Sequence, residues 1–270
     1  MCLAAITQFC GSNDISKNLK ICIDLINDAS QKGAKMIFFP EASDFIATNT
    51  EESLSLTSSI ENLQFIEEIK NSAKKNNVWV SIGVHENSHL PSHIYNSHLL
   101  ITSSGTLFHP IYHKLHLFDI SIQDGPQLLE SNYTLKGEQI IDPVETPIGK
   151  VGMMVCYDIR FPELSIELRK RGAEVLTYPS AFTVKTGMAH WEVLLRARAI
   201  ETQTYVIASA QIGRHNENRT SFVDPWGTIL ARCPETTLPT FALAEINLDR
   251  VKNIRIGMPV LEHRRTDLFE

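Results

Sequence analysis

The sequence GAKMIFFPEA occupies residues 33–42, and a related sequence, GAEVLTYPSA, occupies residues 172–181. The two stretches are offset by 139 residues, about half of the 270-residue chain. In each, a glycine that can end a helix precedes an apolar run, and a proline closes the run. Short apolar runs with such boundaries are typical of buried strands, so we interpret the repeat as an internal duplication of an α/β unit.

Both halves of the chain show the same order of predicted elements around this repeat. The first half has predicted strands at 3–9, 35–40, 78–84, 96–102 and 106–112, with helices at 16–32 and 57–76. The second half has predicted strands at 151–157, 174–179 and 205–211, a hairpin at 222–232, and helices at 162–171 and 190–203. Each half therefore has the predicted order β-α-β-α-β followed by a hairpin.

The predicted fold class is α/β. Apolar strands separated by helices indicate sheets covered by helices, and two such half-sheets can bury their remaining faces against each other. We therefore expect a four-layer α-β-β-α sandwich with an internal pseudo-two-fold repeat. Two separate α/β domains are the alternative, which the absence of a Gly/Ser/Pro-rich linker disfavours. We expect a single domain over residues 1–270, with half-repeats at about 1–117 and 147–250 and a C-terminal tail at 251–270.

Composition and charge exclude several functional classes. The net charge is −6 and the pI is about 5.9, so the chain offers no basic surface for nucleic acid or an anionic membrane. Its apolar runs are far shorter than the roughly 20 residues of a membrane-spanning helix. The start, MCLAAITQFC, lacks the features of a secretion signal, and an odd number of cysteines, five, indicates free thiols. We expect a cytoplasmic protein without nucleic-acid or membrane partners; a mitochondrial form from an alternative start stays open.

Three chemically distinct side chains follow predicted strands, where ligands bind in α/β folds. These are Glu41 after the strand at 35–40, Lys114 after the strand at 106–112, and Cys156 at the end of the strand at 151–157. Cysteine is a good nucleophile toward a carbonyl carbon, and glutamate can act as a general base. Lysine and a backbone N–H beside the cysteine, that of Tyr157, can stabilise an oxyanion. Taken singly, a buried structural cysteine and solvated charged residues are the commoner explanation.

Longer motifs surround these residues and resemble the nitrilase superfamily of carbon–nitrogen hydrolases. The matching stretches are FFPEASDF (38–45), YHKLHLFD (112–119), VCYDIRFPELS (155–165), PSAFTVKTGMAHWEVLLRARAIE (179–201), DPWGTILA (224–231) and RRTDLF (264–269). The resemblance covers nearly the whole chain in the family's order. It implies that Glu41, Lys114 and Cys156 are catalytic and that Glu130, in LLESNYTLKG, supports them. It also implies the same sandwich fold, usually assembled as a homodimer.

Within that family the sequence is most similar to the Nit branch. CYDIRFPEL, PSAFT and RARAIE resemble its deaminated-glutathione amidases more than its omega-amidases. The resemblance implies a cysteine-dependent amidase that cleaves a small 2-oxo-acid amide through a thioester, without cofactor or metal. Deaminated glutathione would give 2-oxoglutarate and Cys-Gly. The alternatives are an omega-amidase or another amidase or nitrilase of the family, and a catalytically idle interaction module of the same fold.

The resemblance has one interruption. Family members carry a G-H-S segment between an Arg-x-Ser motif and the D-P-W-G turn, whereas Arg219-Thr220-Ser221 here runs directly into Phe222. By that comparison about half a dozen residues are missing at a loop beside the family's active site.

Arg160 is the first candidate for substrate recognition. The carboxylate of a 2-oxo-dicarboxylate acyl group needs a partner, and arginine binds carboxylates through two parallel hydrogen bonds. Arg160 lies four residues after the cysteine and can reach the same pocket. A structural salt bridge to Asp158 or Glu163 is an equally weighted alternative.

Phe182 and Thr186 are two further candidates for the substrate pocket. They follow the strand that corresponds, in the repeat, to the strand before Glu41. We expect them to provide an apolar wall and a hydroxyl donor. We also expect Lys114 and nearby N–H groups to favour the thiolate form of Cys156.

The stretch His85-Glu86-Asn87-Ser88-His89 matches the metal-binding pattern H-E-x-x-H. That pattern binds metal only on a helix, where both histidines face one ion. Because the stretch follows a predicted strand and precedes a proline, we interpret it as a loop and predict no metal site.

Overall fold

The computed structural model describes residues 2–121, 127–213, 216–217 and 220–268. The strands, in chain order, are β1 Cys2–Gln8, β2 Met36–Phe38, β3 Trp79–Asn87, β4 Ile94–Ile101, β5 Tyr112–His113, β6 Asp119–Ser121, β7 Gln127–Leu129, β8 Thr134–Leu135, β9 Val144–Thr146, β10 Gly149–Met153, β11 Val175–Thr177, β12 Tyr205–Ala208, β13 Ile212–Gly213, β14 Asn216–Glu217, β15 Ser221–Val223, β16 Ile229–Arg232 and β17 Thr240–Ile246. The helices are α1 Ile15–Gln31, α2 Thr50–Thr57, α3 Ile60–Asn76, α4 Pro162–Lys170, α5 Val184–Thr202 and α6 Leu248–Gly257. Short 3-10 helices cover Glu130–Asn132, Cys156–Arg160 and Thr266–Leu268.

Two large mixed sheets organise the described chain. The first has the order β17-β1-β2-β3-β4-β5, with β8 paired to β4, and the second has the order β16-β15-β12-β11-β10-β9. Within each sheet, three neighbouring strands are parallel, β1-β2-β3 in the first and β10-β11-β12 in the second. The carboxyl ends of these parallel strands are the positions from which the candidate site is built.

The predicted internal repeat is present in the strand order. The series β1-β2-β3-β4-β5 in one sheet corresponds to β10-β11-β12-β15-β16 in the other, and β2 and β11 lie at positions related by the same offset of 139 residues. Sequence patterns did not predict β17, which returns from the second half to pair with β1. It occupies the edge position that β9 occupies beside β10.

Two hydrophobic cores show the layering. One joins inward-facing residues of both sheets, such as Ile6 and Phe38 with Val151 and Val175, and extends to the inner sides of α4 and α5. The other lies between the first sheet and helices α1 and α3. The predicted four-layer α-β-β-α sandwich is therefore confirmed. The single domain over residues 1–270 stays a prediction, which the core shared by the two sheets supports.

Several predicted elements differ from the structure. The helix expected at 57–76 begins at Ile60, because the side chain of Ser59 caps its start by accepting a hydrogen bond from the Asn62 N–H, and a separate helix that was not predicted, α2, ends at Thr57. The strand expected at 151–157 ends at Met153, and Cys156 belongs to a 3-10 helix. The strand expected at 106–112 is reduced to a bridge at Leu107 and to β5, since Pro110 has no N–H to donate to a sheet. The helix expected from residue 190 begins earlier, at Val184.

The H-E-x-x-H stretch was predicted to be a loop, but part of it is a strand. His85, Glu86 and Asn87 continue β3 and pair with β4. The ladder of hydrogen bonds between these two strands extends past the apolar run at 78–84 that predicted the strand. The Nδ1 atom of His85 lies 3.0 Å from a carboxylate oxygen of Asp44. Within the described ranges, no group of three or more potential metal ligands was found.

The junction between Ser221 and Phe222 lies inside strand β15. Strand β15 pairs with both β12 and β16 across this junction. Arg219, the first residue of the Arg-x-Ser motif, lies outside the described residues. So do Met1, 122–126, 214–215, Asn218 and 269–270. Among the helices that are described, none is long and apolar enough to cross a membrane.

Candidate active site

Glu41 follows β2 and is almost fully buried. Its main chain passes so close to β3 that a Cβ atom on Gly83 would lie 2.6 Å from the Cα atom of Glu41. The side-chain amide of Gln211, from the second half of the chain, donates a hydrogen bond to the Glu41 carbonyl oxygen at 3.0 Å. The absence of a side chain at Gly83 therefore allows the main chain of Glu41 to pack against β3, and the hydrogen bond from Gln211 holds that main chain in position.

Lys114 follows β5 and is as deeply buried as Glu41. Its backbone N–H donates to the carbonyl oxygen of Asn96 on β4 at 2.9 Å, and its carbonyl oxygen accepts from the Gly137 N–H at 2.8 Å. A Cβ atom at Gly137 would lie 2.2 Å from the carbonyl oxygen of His113, so only glycine fits there. The lysine is thus held by backbone contacts on both sides.

Cys156 is the first residue of the 3-10 helix Cys156–Arg160, three residues beyond β10. Its φ angle is +44°, a left-handed conformation that is uncommon for a residue with a side chain. The Cys156 N–H donates to the carbonyl oxygen of Pro179 at 2.9 Å. The turn that presents the thiol is therefore anchored to the equivalent end of the neighbouring strand, β11.

Asp158 connects the turn of Cys156 to the strand of Lys114. This fully buried carboxylate accepts hydrogen bonds from the Tyr112 hydroxyl at 2.6 Å and the backbone N–H of His116 at 3.0 Å, residues on either side of Lys114. It also accepts one from the Val155 N–H, next to the cysteine, at 2.9 Å. One carboxylate therefore fixes the relative positions of the ammonium and the thiol.

The charged side chains form one hydrogen-bonded cluster. The Nζ atom of Lys114 lies 3.0 Å from Oε1 of Glu41 and 2.9 Å from Oε2 of Glu130. The Nδ2 atom of Asn96 donates to Oε1 of Glu41 at 2.8 Å and to Oε1 of Glu130 at 3.1 Å. The backbone N–H of Phe118 also donates to Glu130, at 2.6 Å. Glu130 is thus placed beside Lys114.

Electrostatics favour an ammonium on Lys114 and a protonated thiol on Cys156. Burial alone would lower the pKa of Lys114, but Glu130 and Glu41 raise it well above its ordinary value. Burial and the neighbouring Glu41 carboxylate raise the pKa of Cys156 well above its ordinary value, against the opposing effects of Lys114 and a hydrogen bond from the Ala181 backbone. As expected, Lys114 and a neighbouring N–H favour the thiolate form of Cys156, but burial and Glu41 outweigh both effects. The thiol therefore needs a base, and Glu41 is the carboxylate that raises its pKa from within the same cavity.

All candidate residues line a single cavity of about 520 Å³. The cavity brings together the three residues proposed as catalytic and the five proposed to support them or bind substrate: Glu41, Lys114, Cys156, Glu130, Tyr157, Arg160, Phe182 and Thr186. A pocket of this size accommodates a small organic molecule.

In the described structure, Arg160 forms a salt bridge with neither Asp158 nor Glu163. Asp158 is engaged elsewhere, and among the described residues no carboxylate lies within 4 Å of the Arg160 guanidinium. The guanidinium instead lies over the rings of Phe182 and Tyr157, at 5.3 and 5.7 Å from the ring centres, and Nη2 lies 3.2 Å from Nδ1 of His190. Its hydrogen-bonding edge is therefore available to a ligand in the cavity.

Thr186 and Phe182 occupy the wall of the same cavity. The Thr186 hydroxyl donates to the Thr183 carbonyl oxygen at 3.2 Å and also lies 2.9 Å from the Thr183 hydroxyl. Phe182 packs against Trp191 with ring centres 4.9 Å apart. Phe182 supplies the expected apolar wall, while the Thr186 hydroxyl is engaged in the local turn.

Sequence reasoning missed Asn96 and Asp158. Asn96 is a polar residue in the middle of an otherwise buried strand, and Asp158 lies inside the motif that carries the cysteine. A buried amide or carboxylate must find hydrogen-bonding partners, so both residue types in apolar surroundings were a usable signal.

His98 joins the two sheets directly behind the site. Its Nδ1 atom lies 3.0 Å from the carbonyl oxygen of Met154, two residues before the cysteine, and its Nε2 atom lies 2.7 Å from the Ser81 hydroxyl. Burial lowers the pKa of His98 to about 4, although the hydrogen bond to Met154 opposes this shift. The neutral ring donates to Met154 and accepts from Ser81, so it links the sheets.

We expect His98 to make the fold sensitive to acid. The unfolded chain binds a proton on this residue near pH 6.5, whereas the folded chain does so only near pH 4, so the free energy of unfolding should fall by up to about 3 kcal/mol between these values. Urea unfolding at several pH values measures this free energy. It should depend less on pH in His98→Gln than in the wild-type protein. The exposed His263→Gln should keep the wild-type dependence, and equal slopes for all three proteins would contradict the assignment.

Comparisons with known proteins agree on one family. A sequence profile described as carbon-nitrogen hydrolase matches residues 3–256. The chain is 50% identical to a Schizosaccharomyces pombe protein named probable hydrolase nit2, covering 100% of this chain and 99% of that protein. It is 46% identical to a Homo sapiens protein named deaminated glutathione amidase, covering 99% of this chain and 83% of that protein. The crystal structure of the Caenorhabditis elegans NitFhit protein is 43% identical, with a TM-score of 0.92, and covers all of this chain, which spans only 66% of that longer protein.

Proposed function

The chain belongs to the carbon–nitrogen hydrolase family, and from this we propose that it is an amidase in which Cys156 forms a thioester with a small 2-oxo acid. The observation that carries the proposal is the position of Glu41, which lies 3.0 Å from the Lys114 ammonium and lines the same cavity as the Cys156 thiol. A nucleophile, a proton acceptor and an oxyanion-stabilising cation are the three groups that amide hydrolysis through a covalent intermediate requires.

In the first half-reaction, Cys156 attacks the amide carbonyl carbon while its proton moves to Glu41. The oxyanion that forms is stabilised by the Lys114 ammonium and by the Tyr157 N–H, which lies in the first turn of a 3-10 helix, where N–H groups lack partners inside the helix. Collapse of this intermediate expels the amine, which takes the proton from Glu41. The products are a free amine and a thioester on Cys156.

In the second half-reaction, Glu41 accepts a proton from water as the oxygen attacks the thioester. The same cation stabilises the second oxyanion, and the thiol leaves with the proton that Glu41 held. One water is consumed, one acid is released, and the enzyme returns to its starting state. Glu130 acts through Lys114, because its carboxylate fixes the Nζ atom at 2.9 Å.

The acyl group that suits this cavity carries a second carboxylate. The Arg160 fork lines the cavity and, within the described chain, has no carboxylate partner. The guanidinium lies over the ring of Phe182, where a cation is attracted by the face of the ring. The name of the human relative, together with this arrangement, supports deaminated glutathione as the substrate, with 2-oxoglutarate and Cys-Gly as products.

Arg160→Lys keeps the charge but loses the two-pronged geometry. We expect the KM for amides of 2-oxo-dicarboxylic acids to rise by about tenfold or more, because the bidentate hydrogen bonds are lost, with little change for uncharged amides. Steady-state kinetics on both substrate types measure this. Arg171→Lys, which affects an arginine already paired with Glu167 and Asp142, is the matched control. Equal effects on the two substrate types would show that the carboxylate binds elsewhere.

A substrate panel tests the proposed function. Deaminated glutathione, the amide of 2-oxoglutarate and simple uncharged amides should be incubated with the protein while 2-oxoglutarate, Cys-Gly and ammonia are each quantified. Release of 2-oxoglutarate and Cys-Gly in equal amounts supports the proposal. Release of ammonia and 2-oxoglutarate from the amide of 2-oxoglutarate, without release of Cys-Gly from deaminated glutathione, would favour an omega-amidase. No turnover of any substrate would favour an idle module.

We also propose that the protein forms a homodimer through α5. Met188, Val193 and Ile200 on this helix are exposed, and large apolar residues exposed on one helix are common at subunit interfaces. Sedimentation equilibrium tests this, with a monomer as the contrary result. The cytoplasmic location stays a prediction.

A further inference from the structure

Asn96 contacts all three charged residues of the site. Its backbone carbonyl oxygen accepts from the Lys114 N–H at 2.9 Å, and its Nδ2 atom donates to Glu41 at 2.8 Å and to Glu130 at 3.1 Å. The residue is 6% exposed, so these bonds form away from bulk water. Strand β4 therefore places a neutral donor between two carboxylates that share a single ammonium.

The cluster has an excess of negative charge that this donor offsets. Glu41 and Glu130 contribute two carboxylates against one ammonium, and two carboxylates in a buried site disfavour each other's charged forms. The amide group stabilises both anions by hydrogen bonding without adding a charge. A second cation would neutralise the base that the thiol needs, whereas an amide leaves it able to accept a proton.

The two carboxylates are bound unequally. Glu130 accepts from Lys114 on both oxygens, from Phe118 on Oε2 and from Asn96 on Oε1. Glu41 accepts from Lys114 and Asn96 on Oε1 only. Its Oε2 atom accepts neither of these bonds. Glu130 is thus held as the anionic partner of the lysine, and Glu41 is the carboxylate left able to take a proton.

The Asn96 side chain is oriented so that its NH₂ group donates to both carboxylates, and its oxygen is left without a donor. Among the described residues, the Oδ1 atom is buried without a hydrogen-bonding partner. The reverse orientation would place that oxygen against two carboxylates, which is electrostatically unfavourable. A buried polar atom without a partner destabilises a fold, so a smaller or apolar residue would serve packing at least as well.

We infer that Asn96 is a positioning residue that keeps Glu130 ionised and aligns Glu41 with it, so that Glu41 takes the proton of the Cys156 thiol. This inference rests on the proposed function, since it assigns Asn96 a part in the same proton transfer. Besides the clustered residues, the titratable groups near the two carboxylates are His85 and Tyr133. Neither is altered in the variants below.

The test measures alkylation of Cys156 by iodoacetamide as a function of pH, with peptide mapping to separate it from the exposed Cys10. Asn96→Leu removes the donor at similar volume. We expect alkylation at neutral pH to slow by about 10- to 100-fold, because a hydrogen bond to each charged carboxylate is lost. We also expect the acidic limb of the profile to move to higher pH. For amide turnover, kcat should fall while KM changes little.

Two further variants keep the test decisive. Ser97→Ala alters the next residue of β4, whose hydroxyl binds none of the site residues, and should leave the profile unchanged. If Asn96→Leu fails to fold, Asn96→Ser carries the same test, because its single hydroxyl can donate to only one carboxylate at a time. A folded Asn96 variant with the wild-type profile overturns the inference.

The alkylation readout also separates this inference from the proposed function. A wild-type protein that turns over no amide, but whose alkylation profile shifts in the Asn96 variants, would overturn the amidase proposal and support the positioning role. Normal amide turnover by Asn96→Leu would support the amidase and overturn the positioning role.

Discussion

Replacing Cys156 with alanine should reduce amide hydrolysis by about four orders of magnitude or more, because Cys156 is the one thiol among the described residues that line the cavity. The fold should persist, since the substitution removes one sulfur atom and keeps the Cβ atom at the same left-handed backbone position. The measurements are kcat with the best amide of the panel and the thermal unfolding curve. A variant that folds normally and keeps a substantial fraction of wild-type turnover would exclude Cys156 as the nucleophile.

Cys22→Ala is the matched control for this experiment. Cys22 is also a buried free thiol, but it lies on α1, in the core between that helix and the first sheet. We expect its replacement to lower stability slightly and to leave kcat unchanged. The comparison distinguishes loss of the nucleophile from a general effect of removing a buried sulfur.

Glu41→Gln should lower kcat by about 10²- to 10⁴-fold, the range typical of a positioned proton-transfer group. The glutamine oxygen can accept the bonds from Lys114 and Asn96, since both of these groups are donors. The amide nitrogen would then take the place of Oε2, where it cannot accept the thiol proton. The shape of the site is thus kept while its base is lost.

The rate of Cys156 alkylation at neutral pH should fall together with kcat in Glu41→Gln, because the thiol has a raised pKa and needs that base. Glu138→Gln, a change at an exposed carboxylate nearby, is the control and should leave both rates unchanged. Near-normal kcat in Glu41→Gln would mean that another group takes the proton.

Much of the fold could be predicted because its signals are local. Apolar runs that end at Pro40 and Pro179 identify two equivalent strands, and the residues after such strands are the ones that a parallel sheet brings together. This is why Glu41 and Cys156 could be selected from the sequence. The pairing of β17 with β1 could not, since nothing near either strand specifies a partner more than 200 residues away.

The electrostatics of the site depend on distances that local patterns do not contain. Lys114 was expected to favour a thiolate, but burial and the carboxylate of Glu41 dominate the pKa of Cys156. The bonds from Asn96 to both carboxylates and from Tyr112 to Asp158 likewise join residues far apart in the chain. Such contacts form only when the strands are assembled into sheets, and no local sequence pattern predicts them.

The internal repeat has a consequence for the two halves taken separately. The offset of 139 residues places Ser180 where its counterpart is Glu41, so the symmetric scaffold carries the acid on one side only. The base belongs to the first half and the nucleophile, Cys156, to the second, and neither half holds both. A fragment that ends before β10, even one able to associate with its own copy, would lack the nucleophile, and a fragment that begins at β10 would lack the base.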